Sequence, residues 1–261
     1  MGPGLHEEEV SPLQGMQAPK EFARHDLVDI SPEGRRQLSG QAWDVKGLLR
    51  VDSWPSPSAR SYCKHVLEHG LKGVYLPGIV RRFTDSDTDS ARELYGDDRA
   101  DDFIAVGFVI PFMPESRRIR VPCVLHCKHI TRRMTPEQVA NLPFVPRTPA
   151  LAALSVMKER ALDKISLGVW GSSALEIYTG LPYTDDRSDL DVVVTGVSMD
   201  EVAHIVELAD TLEKSFPVRI DVEVQLEEGW GVNGRELLSG RDTILVKGIR
   251  EVKLARREGL L

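Results

Sequence analysis

Hydrophobic and polar residues follow regular periods in the C-terminal half of the chain. Three long apolar runs predict strands, and the last of them alternates with polar residues as a half-buried strand does. Between these runs, apolar residues recur at helical spacing. The predicted elements are strands at 165–170, 190–195, 218–226 and 244–247, and helices at 149–163, 172–178, 200–216, 233–239 and 248–257. This order predicts a mixed sheet flanked by helices.

The N-terminal half has a weaker pattern that is richer in strands. Apolar runs at 104–110 and 119–125 predict a strand pair, and a proline interrupts a further strand at 73–83. A helix is expected at 61–70. The acidic stretch 85–102 is interpreted as a solvated loop, because its spacing departs from that of a calcium-binding loop.

Composition suggests where the chain divides. Residues 1–20 are rich in Gly, Pro and Glu and show no period, which predicts a disordered tail. The proline-dense stretch 142–149 is typical of a linker. We therefore expect a smaller, mixed, strand-rich accessory or substrate domain at 21–148 and a catalytic domain at 149–261. The predicted fold class is α+β.

Charge and cysteine content narrow the class of protein. The 261 residues carry a net charge of −7, which argues against a general nucleic-acid binder. Three cysteines are too few for a disulfide framework and favour a reducing compartment. The acidic start of the chain lacks the apolar core of a signal peptide, and the apolar stretch 103–113 is too short to span a bilayer. We expect a cytoplasmic protein with no membrane partner.

Two polar clusters in the N-terminal half are weighed as candidate sites. Cys123, His126, Cys127 and His129 fall within seven residues, whereas zinc ligands usually come in separated pairs. We interpret them as a core cysteine with surface histidines. The run 24–26 (Arg-His-Asp) is either a functional cluster or a solvated turn, and its spacing favours the turn.

The strongest chemical pattern begins at Gly171, between a predicted strand and a predicted helix. Glycine lets the backbone approach a phosphate closely, while Ser172 and Ser173 offer hydroxyl and N–H groups at the positive end of the helix. Asp189 and Asp191 are two positions apart on a predicted strand, so both carboxylates leave the same face. Two such charges repel unless a cation lies between them. The pattern predicts a magnesium site that faces a phosphate.

A third carboxylate would complete a site for two metal ions about 3.5–4 Å apart. Asp221 is the natural candidate, because an isolated charge between its apolar neighbours would be costly without a partner. Glu223 shares that strand face and is either a supporting residue or the alternative third ligand. The predicted metal ligands and catalytic residues are Asp189, Asp191 and Asp221.

The order of these residues resembles the nucleotidyltransferase superfamily that includes DNA polymerase β. Sixteen residues separate Ser172 from Asp189, more than the usual gap, and the extra length contains Gly-Leu-Pro-Tyr at 180–183. That insertion is similar to one branch, the phosphoribosyl-dephospho-CoA transferase of malonate decarboxylase, a holo-acyl-carrier-protein synthase. Further similar segments lie at 24–27, 105–108, 117–121 and 244–247. The chain departs from the family at 221–223, where Asp-Val-Glu replaces the usual Asp-Gly-Glu.

The resemblance implies a reaction and its partners. The donor would be 2′-(5″-triphosphoribosyl)-3′-dephospho-CoA, and the acceptor a serine on the acyl-carrier subunit of malonate decarboxylase. The three aspartates would hold Mg²⁺, as two ions, with Mn²⁺ as an alternative. The residues assigned to substrate and phosphate binding are Gly171, Ser172, Ser173, Tyr183 and Lys247. The basic stretch 117–120 would dock an acidic carrier or form a solvated strand edge.

Two other functions stay open at this stage. One is a different nucleotidyltransferase, which adds a nucleotide to a protein, an RNA or a small molecule. The other is a non-catalytic module that binds a nucleotide or a carrier protein through a relic site. The three intact aspartates argue against the relic.

Overall fold

Two β-sheets, one from each half of the chain, form the framework of the computed structural model, which describes residues 22–44, 57–95, 102–111, 119–162 and 165–261. The N-terminal elements are β1 (Leu27–Ile30), α1 (Pro32–Asp44), α2 (Pro57–His69), β2 (Gly78–Val80), α3 (Asp85–Tyr95), β3 (Phe103–Ile110), β4 (Ile119–His126), β5 (Ile130–Met134) and α4 (Pro136–Ala140). The C-terminal elements are α5 (Pro149–Arg160), β6 (Ser166–Trp170), α6 (Gly171–Thr179), β7 (Leu190–Thr195), α7 (Met199–Ser215), β8 (Ile220–Gln225), β9 (Gly231–Asn233), α8 (Gly234–Leu238), β10 (Thr243–Lys247) and β11 (Val252–Arg256). The structure is α+β, as predicted, and the predicted tail lies outside the described residues.

The N-terminal sheet is antiparallel throughout its described part. Its five strands run in the order β4-β3-β2-β1-β5. The predicted strand pair forms β3 and β4, which pair along their whole length. The strand expected at 73–83 is shorter than predicted: it is confined to β2, because Pro77 cannot donate to a ladder and the strand begins after it.

The acidic stretch contains a helix where we expected a solvated loop. Helix α3 begins at Asp85, and Asp87 organises its first turn by accepting hydrogen bonds from the backbone N–H of Thr84 at 2.8 Å and from its hydroxyl at 2.6 Å. Asp87 also pairs with Arg81 at 2.5 Å. The loop interpretation was wrong because carboxylates in a first turn are favoured by the partial positive charge of the helix N-terminus.

The C-terminal sheet is mixed, with β7 and β8 as the one parallel pair among its described strands. The order is β11-β10-β9-β8-β7-β6. Helix α7 lies where predicted, begins with a capping box of Ser198 and Glu201, and buries its apolar stripe. The helix predicted at 248–257 was wrong: β11 continues the sheet as a hairpin with β10, so pairing with an existing strand overrides local helix propensity.

The two halves share one hydrophobic core and are joined by hydrogen bonds. The hydroxyl of Tyr178 donates to Asp29 at 2.5 Å, and the backbone N–H of Phe83 donates to the carbonyl of Ile249 at 2.7 Å. Gly168 on β6 touches α4, since a Cβ added there would collide with Pro136. One face of the C-terminal sheet is therefore covered by the N-terminal half. No helix of the described residues is long and apolar enough to cross a membrane.

Candidate active site

The aspartates on β7 and β8 lie side by side. Trp170 on β6, Asp191 on β7 and Asp221 on β8 are register partners, so the three residues form one row across the sheet. Neighbouring strands are about 4.8 Å apart and paired residues point to the same face. The structure thus brings Asp191 and Asp221, separated by 30 positions in the sequence, onto one surface.

This surface carries uncompensated negative charge. The pKa of Asp191 is raised from its ordinary value of 3.8 to about 6. Burial is the largest cause, and the carboxylates of Asp221 and Asp189 add to it. Arg120 and Arg219 act in the opposite direction and do not offset the increase. Arg120 belongs to β4, so a basic residue of the N-terminal sheet faces the aspartates. The row has the electrostatics of a site that accepts a cation.

Asp189 does not share the row. Strand β7 begins at Leu190, so Asp189 precedes the strand, and its side chain is exposed. Among the described residues, no group of three or more His, Cys, Asp or Glu side chains is arranged to hold a metal ion. Asp191 and Asp221, with the exposed Asp189 nearby, still suit Mg²⁺. This ion takes one or two protein carboxylates and completes its shell with phosphate oxygens and water.

Gly171 opens α6 directly beside Asp191. Its φ is +69°, in the left-handed region, and a Cβ at this position would collide with Oδ2 of Asp191. Both facts require glycine. The turn therefore leaves the N-terminus of α6, with its partial positive charge, open beside the carboxylates. Ser172 is half-buried, whereas Ser173 is buried and its hydroxyl has no hydrogen-bond partner in the structure.

Asp221 is oriented by a neighbouring strand. The side-chain amide of Asn233, on β9, donates to Oδ1 of Asp221 at 2.6 Å. Asn233 also caps α8 through its Oδ1, which accepts from the backbone N–H of Glu236 at 3.1 Å. Each end of this amide thus has a fixed partner, so the Asp221 carboxylate is held in one orientation while its second oxygen faces away from Asn233.

The run 24–26 is a buried cluster and not the solvated turn that we expected. Arg24 reaches the C-terminal sheet and binds Glu223 through two nitrogens, at 3.0 and 3.2 Å. His25 donates to or accepts from the same carboxylate at 3.1 Å and stacks on Trp170, with ring centroids 3.9 Å apart. Asp26 is fully buried and pairs with Arg133 at 2.7 Å. The turn interpretation was wrong because the partners that bury these residues lie more than 100 positions away along the chain.

Glu223 lies next to the aspartates and has the opposite electrostatics. Burial by itself would raise the pKa of Glu223, but the hydrogen bond from His25 and the charge of Arg24 outweigh burial, so the pKa lies below its ordinary value. Burial lowers the pKa of His25. His25 is therefore neutral near pH 7, and Arg24 supplies the charge that balances Glu223.

The remaining predicted residues divide between core and site. Tyr183 is buried, and its hydroxyl donates to the carbonyl of Val109 at 3.2 Å, so its side chain joins the two halves instead of lining an open cleft. Lys247 ends β10, and its carbonyl accepts from Arg24 at 3.2 Å. Its ammonium acts on His25, whose pKa it lowers slightly. Lys247 is thus placed beside the Arg24 cluster.

The second cluster in the N-terminal half is only partly as expected. Cys123 lies in the core, as predicted, and burial raises the pKa of its thiol to about 12. His129 is buried as well, so its interpretation as a surface histidine was wrong. The turn Cys127–His129 folds His129 back under α1, where it contacts Ser31 at 3.4 Å.

The fold and this site define a class: an α+β chain with paired carboxylates beside a glycine-opened helix, the arrangement of an enzyme that acts on phosphates. Comparison with known proteins gives the family. Residues 137–258 match the family model described as phosphoribosyl-dephospho-CoA transferase MdcG, C-terminal domain. No solved structure matches the chain.

Curated relatives carry the same description. A phosphoribosyl-dephospho-CoA transferase of Bradyrhizobium diazoefficiens is 27% identical over 237 residues, which cover 90% of each chain. One of Xanthomonas axonopodis pv. citri is 26% identical over 58% of this chain and 71% of its own. One of Pseudomonas syringae pv. tomato is 31% identical over 43% of this chain and 54% of its own. The chain is therefore similar to this transferase family, as the resemblance in its sequence indicated, and these similarities indicate that it is a transferase enzyme.

Proposed function

We propose that the enzyme transfers the 2′-(5″-phosphoribosyl)-3′-dephospho-CoA group from its triphosphate donor to a serine of the acyl-carrier subunit of malonate decarboxylase. The serine oxygen forms a bond to the α-phosphorus, the bond between the α- and β-phosphates breaks, and diphosphate leaves. The proton of the serine hydroxyl is released to solvent. The observation that carries this proposal is the register pair of Asp191 and Asp221 beside Gly171.

Magnesium would be held by Asp191 and Asp221, with Asp189 as the third ligand. The donor set fits, since burial first, and then the carboxylates of Asp221 and Asp189, raise the pKa of Asp191, and a bound cation would offset both. Two ions are proposed, and Mn²⁺ is the expected substitute. When bound, the ions would lower the pKa of the serine hydroxyl and neutralise charge on the reacting phosphate. On β8 we propose Asp221 over Glu223 as the ligand, since Arg24 donates to both oxygens of Glu223.

The opening of α6 would hold the triphosphate. Gly171 lets the carboxylate of Asp191 lie against the start of α6, and the first N–H groups of α6 would donate to phosphate oxygens bound beside it. Ser172 lies half-buried in this first turn and is proposed as a phosphate contact. Ser173 supports the turn from the buried side. Arg120 and Lys247 are further cations near the cluster for the leaving diphosphate or for an acidic carrier.

The test incubates the enzyme with the apo carrier subunit, the triphosphoribosyl donor and Mg²⁺, and measures the intact mass of the carrier. We expect one prosthetic group on one serine and an equivalent of diphosphate. Asp221→Asn should lose this transfer, whereas Asp242→Asn, an exposed aspartate before β10, should keep it. No mass gain with the wild type, together with transfer of AMP from ATP to the carrier, would replace the proposal with another nucleotidyltransferase reaction.

A further inference from the structure

We propose that Arg24 and His25 are positioning residues of this active site, so that a segment at the start of the described chain completes the site built by the C-terminal sheet. This inference deepens the proposed function and rests on it for the identity of the reaction. The observation is the contact of His25 with Trp170, which is next to Asp191 in the row, and with Glu223, which follows Asp221 by two positions on β8.

The register fixes where His25 lies. Trp170 is the row partner of Asp191, and Glu223 follows Asp221 by two positions on the same face of β8. Because the ring of His25 stacks on Trp170 and also hydrogen-bonds Glu223, it lies over the space next to the two aspartates. His25 therefore covers the inner side of the aspartate row, while the row's outer side is left for metal and phosphate.

The backbone at His25 is held in a conformation that histidine adopts at a cost. Its φ is +76°, and a residue other than glycine in the left-handed region loses roughly 1–2 kcal/mol. The N-terminal sheet imposes this turn: the N–H of His25 donates to Val80 at 2.8 Å, and Asp26 accepts from the N–H of Ala23 at 2.7 Å. Such strain persists where surrounding contacts fix it, and it concentrates at functional sites.

Arg24 and His25 also determine the charge that the aspartates face. Without Arg24, the carboxylate of Glu223 would add a further negative charge on the face that carries Asp191 and Asp221. Glu223 would then be free to turn towards a bound metal and compete with the proposed ligands. On its other side Glu223 is packed against β9, because a Cβ on Gly231 would collide with Oε1 of Glu223 and would come within 3.1 Å of Arg24.

The experiment compares His25→Ala with His25→Asn, and adds Arg24→Gln. Asparagine tolerates a positive φ and keeps an N–H donor for Glu223, so it is the conservative replacement. The matched control is His129→Ala, which removes the other buried histidine of the N-terminal half at a distance from Glu223. Three quantities are measured for each protein: the binding of Mn²⁺ with inorganic diphosphate, by paramagnetic resonance; kcat and KM for transfer; and the unfolding temperature.

Groups that surround metal ligands without touching the metal typically contribute roughly 10- to 100-fold in affinity or activity, and Arg24 and His25 would act in this way through Glu223 and Trp170. We expect His25→Ala and Arg24→Gln to weaken Mn²⁺ binding and to lower kcat by that range, with KM for the donor changed less than threefold. His25→Asn should recover part of both losses. His129→Ala should keep wild-type Mn²⁺ affinity and kcat, even where its unfolding temperature falls.

The outcomes separate this inference from the proposed function. If His25→Ala and Arg24→Gln fold and keep wild-type Mn²⁺ affinity, the positioning role is overturned, whatever reaction the enzyme performs. If the wild type binds Mn²⁺ but does not load the carrier, the proposed function fails. In that case, weaker Mn²⁺ binding by His25→Ala would still support the positioning role.

Discussion

Glu223, which is buried, and Asp191, which is half-buried, are acids on neighbouring strands of the same sheet, and their charged neighbours differ. Glu223 has a guanidinium on both oxygens and a histidine on one of them, and its pKa is lowered. Asp191 has two other carboxylates nearby, and burial and those charges raise its pKa to about 6. The protein therefore balances one buried charge internally and leaves its neighbour for a ligand to balance.

The difference is consistent with the proposal that Glu223 serves the fold and Asp191 the chemistry. A buried charge without a partner is destabilising, so it is retained where a bound cation restores the balance. A paired charge contributes to the fold only while its partner is present. The two acids should therefore respond in opposite ways to neutral replacements.

The largest effect is expected for Glu223→Ala. Arg24 would keep a buried charge with no carboxylate, since the two side chains are only 12% and 7% exposed. Breaking a buried pair in this way costs about 3–5 kcal/mol of unfolding free energy. Urea unfolding measures it, with Asp210→Ala as the control: its pair with Arg235 is exposed and should contribute about 0–1 kcal/mol. Equal losses in both variants would mean that Glu223 is no better supported than a surface acid.

Asp191→Asn should show the reverse. The replacement removes a charge that burial and Asp221 disfavour, so the metal-free protein should be at least as stable as the wild type near pH 7. Transfer should fall by about 100- to 1,000-fold, the range for losing one preorganised electrostatic contact, or about 2.7–4 kcal/mol. Steady-state rates and thermal unfolding in a chelating buffer give the two numbers. A clear loss of stability would contradict the uncompensated charge.

The pairing of Asp191 with Asp221 could be predicted from the sequence, because the strand patterns that position the two residues are local. Asp191 and Asp221 stand at the starts of apolar runs whose period predicts β7 and β8, and Gly171 stands between a strand and a helix. Elements whose stability comes from periodic burial were placed correctly, as α7 illustrates. The identity of the reaction came from the resemblance of the insertion after Ser172, and the family match confirms it at the level of the transferase.

The contacts that balance the charge of Glu223 could not be predicted from the local sequence pattern. The partners of Glu223 lie 199 and 198 positions away, and no period along the chain records such a pairing. One signal in the sequence was the resemblance of residues 24–27 to the family. It was given less weight than the interpretation of residues 24–26 as a solvated turn. Strand β11 and helix α3 were missed for related reasons: sheet pairing determines the first, and a side-chain network at Asp87 determines the second.

Gly171→Ala tests whether the shape of the turn before α6 matters to the position of Asp191. A Cβ would displace Asp191 and would add strain at φ +69°, which together should cost about 1–2 kcal/mol and lower kcat. Gly180→Ala is the matched control, since Gly180 has φ +70° but open space around it. Gly180→Ala should lose only the stability that the strain costs and should keep transfer, whereas Gly171→Ala should lose at least as much stability and should also lose transfer. Equal activities would show that the Asp191 position tolerates the shift.

Asp26 offers a smaller test of the same comparison. It asks how far a single charged partner balances a buried acid. It pairs with Arg133 at 2.7 Å and accepts from Ala23, yet burial dominates and raises its pKa from 3.8 to about 6, and its Oδ1 has no partner. A folded pKa above the unfolded value means that Asp26 contributes stability below about pH 4 and loses that contribution as pH rises through 6.

Asp26→Asn keeps an oxygen that accepts from Ala23 and cannot ionise. Relative to the wild type, the variant should therefore gain unfolding free energy between pH 4 and pH 7, by roughly 1–3 kcal/mol, since the raised pKa of Asp26 already includes the opposing effect of Arg133. Chemical unfolding at the two pH values measures the difference. A variant that instead becomes relatively less stable as pH rises would show that Arg133 alone balances Asp26, and a single partner would then suffice where Glu223 has two.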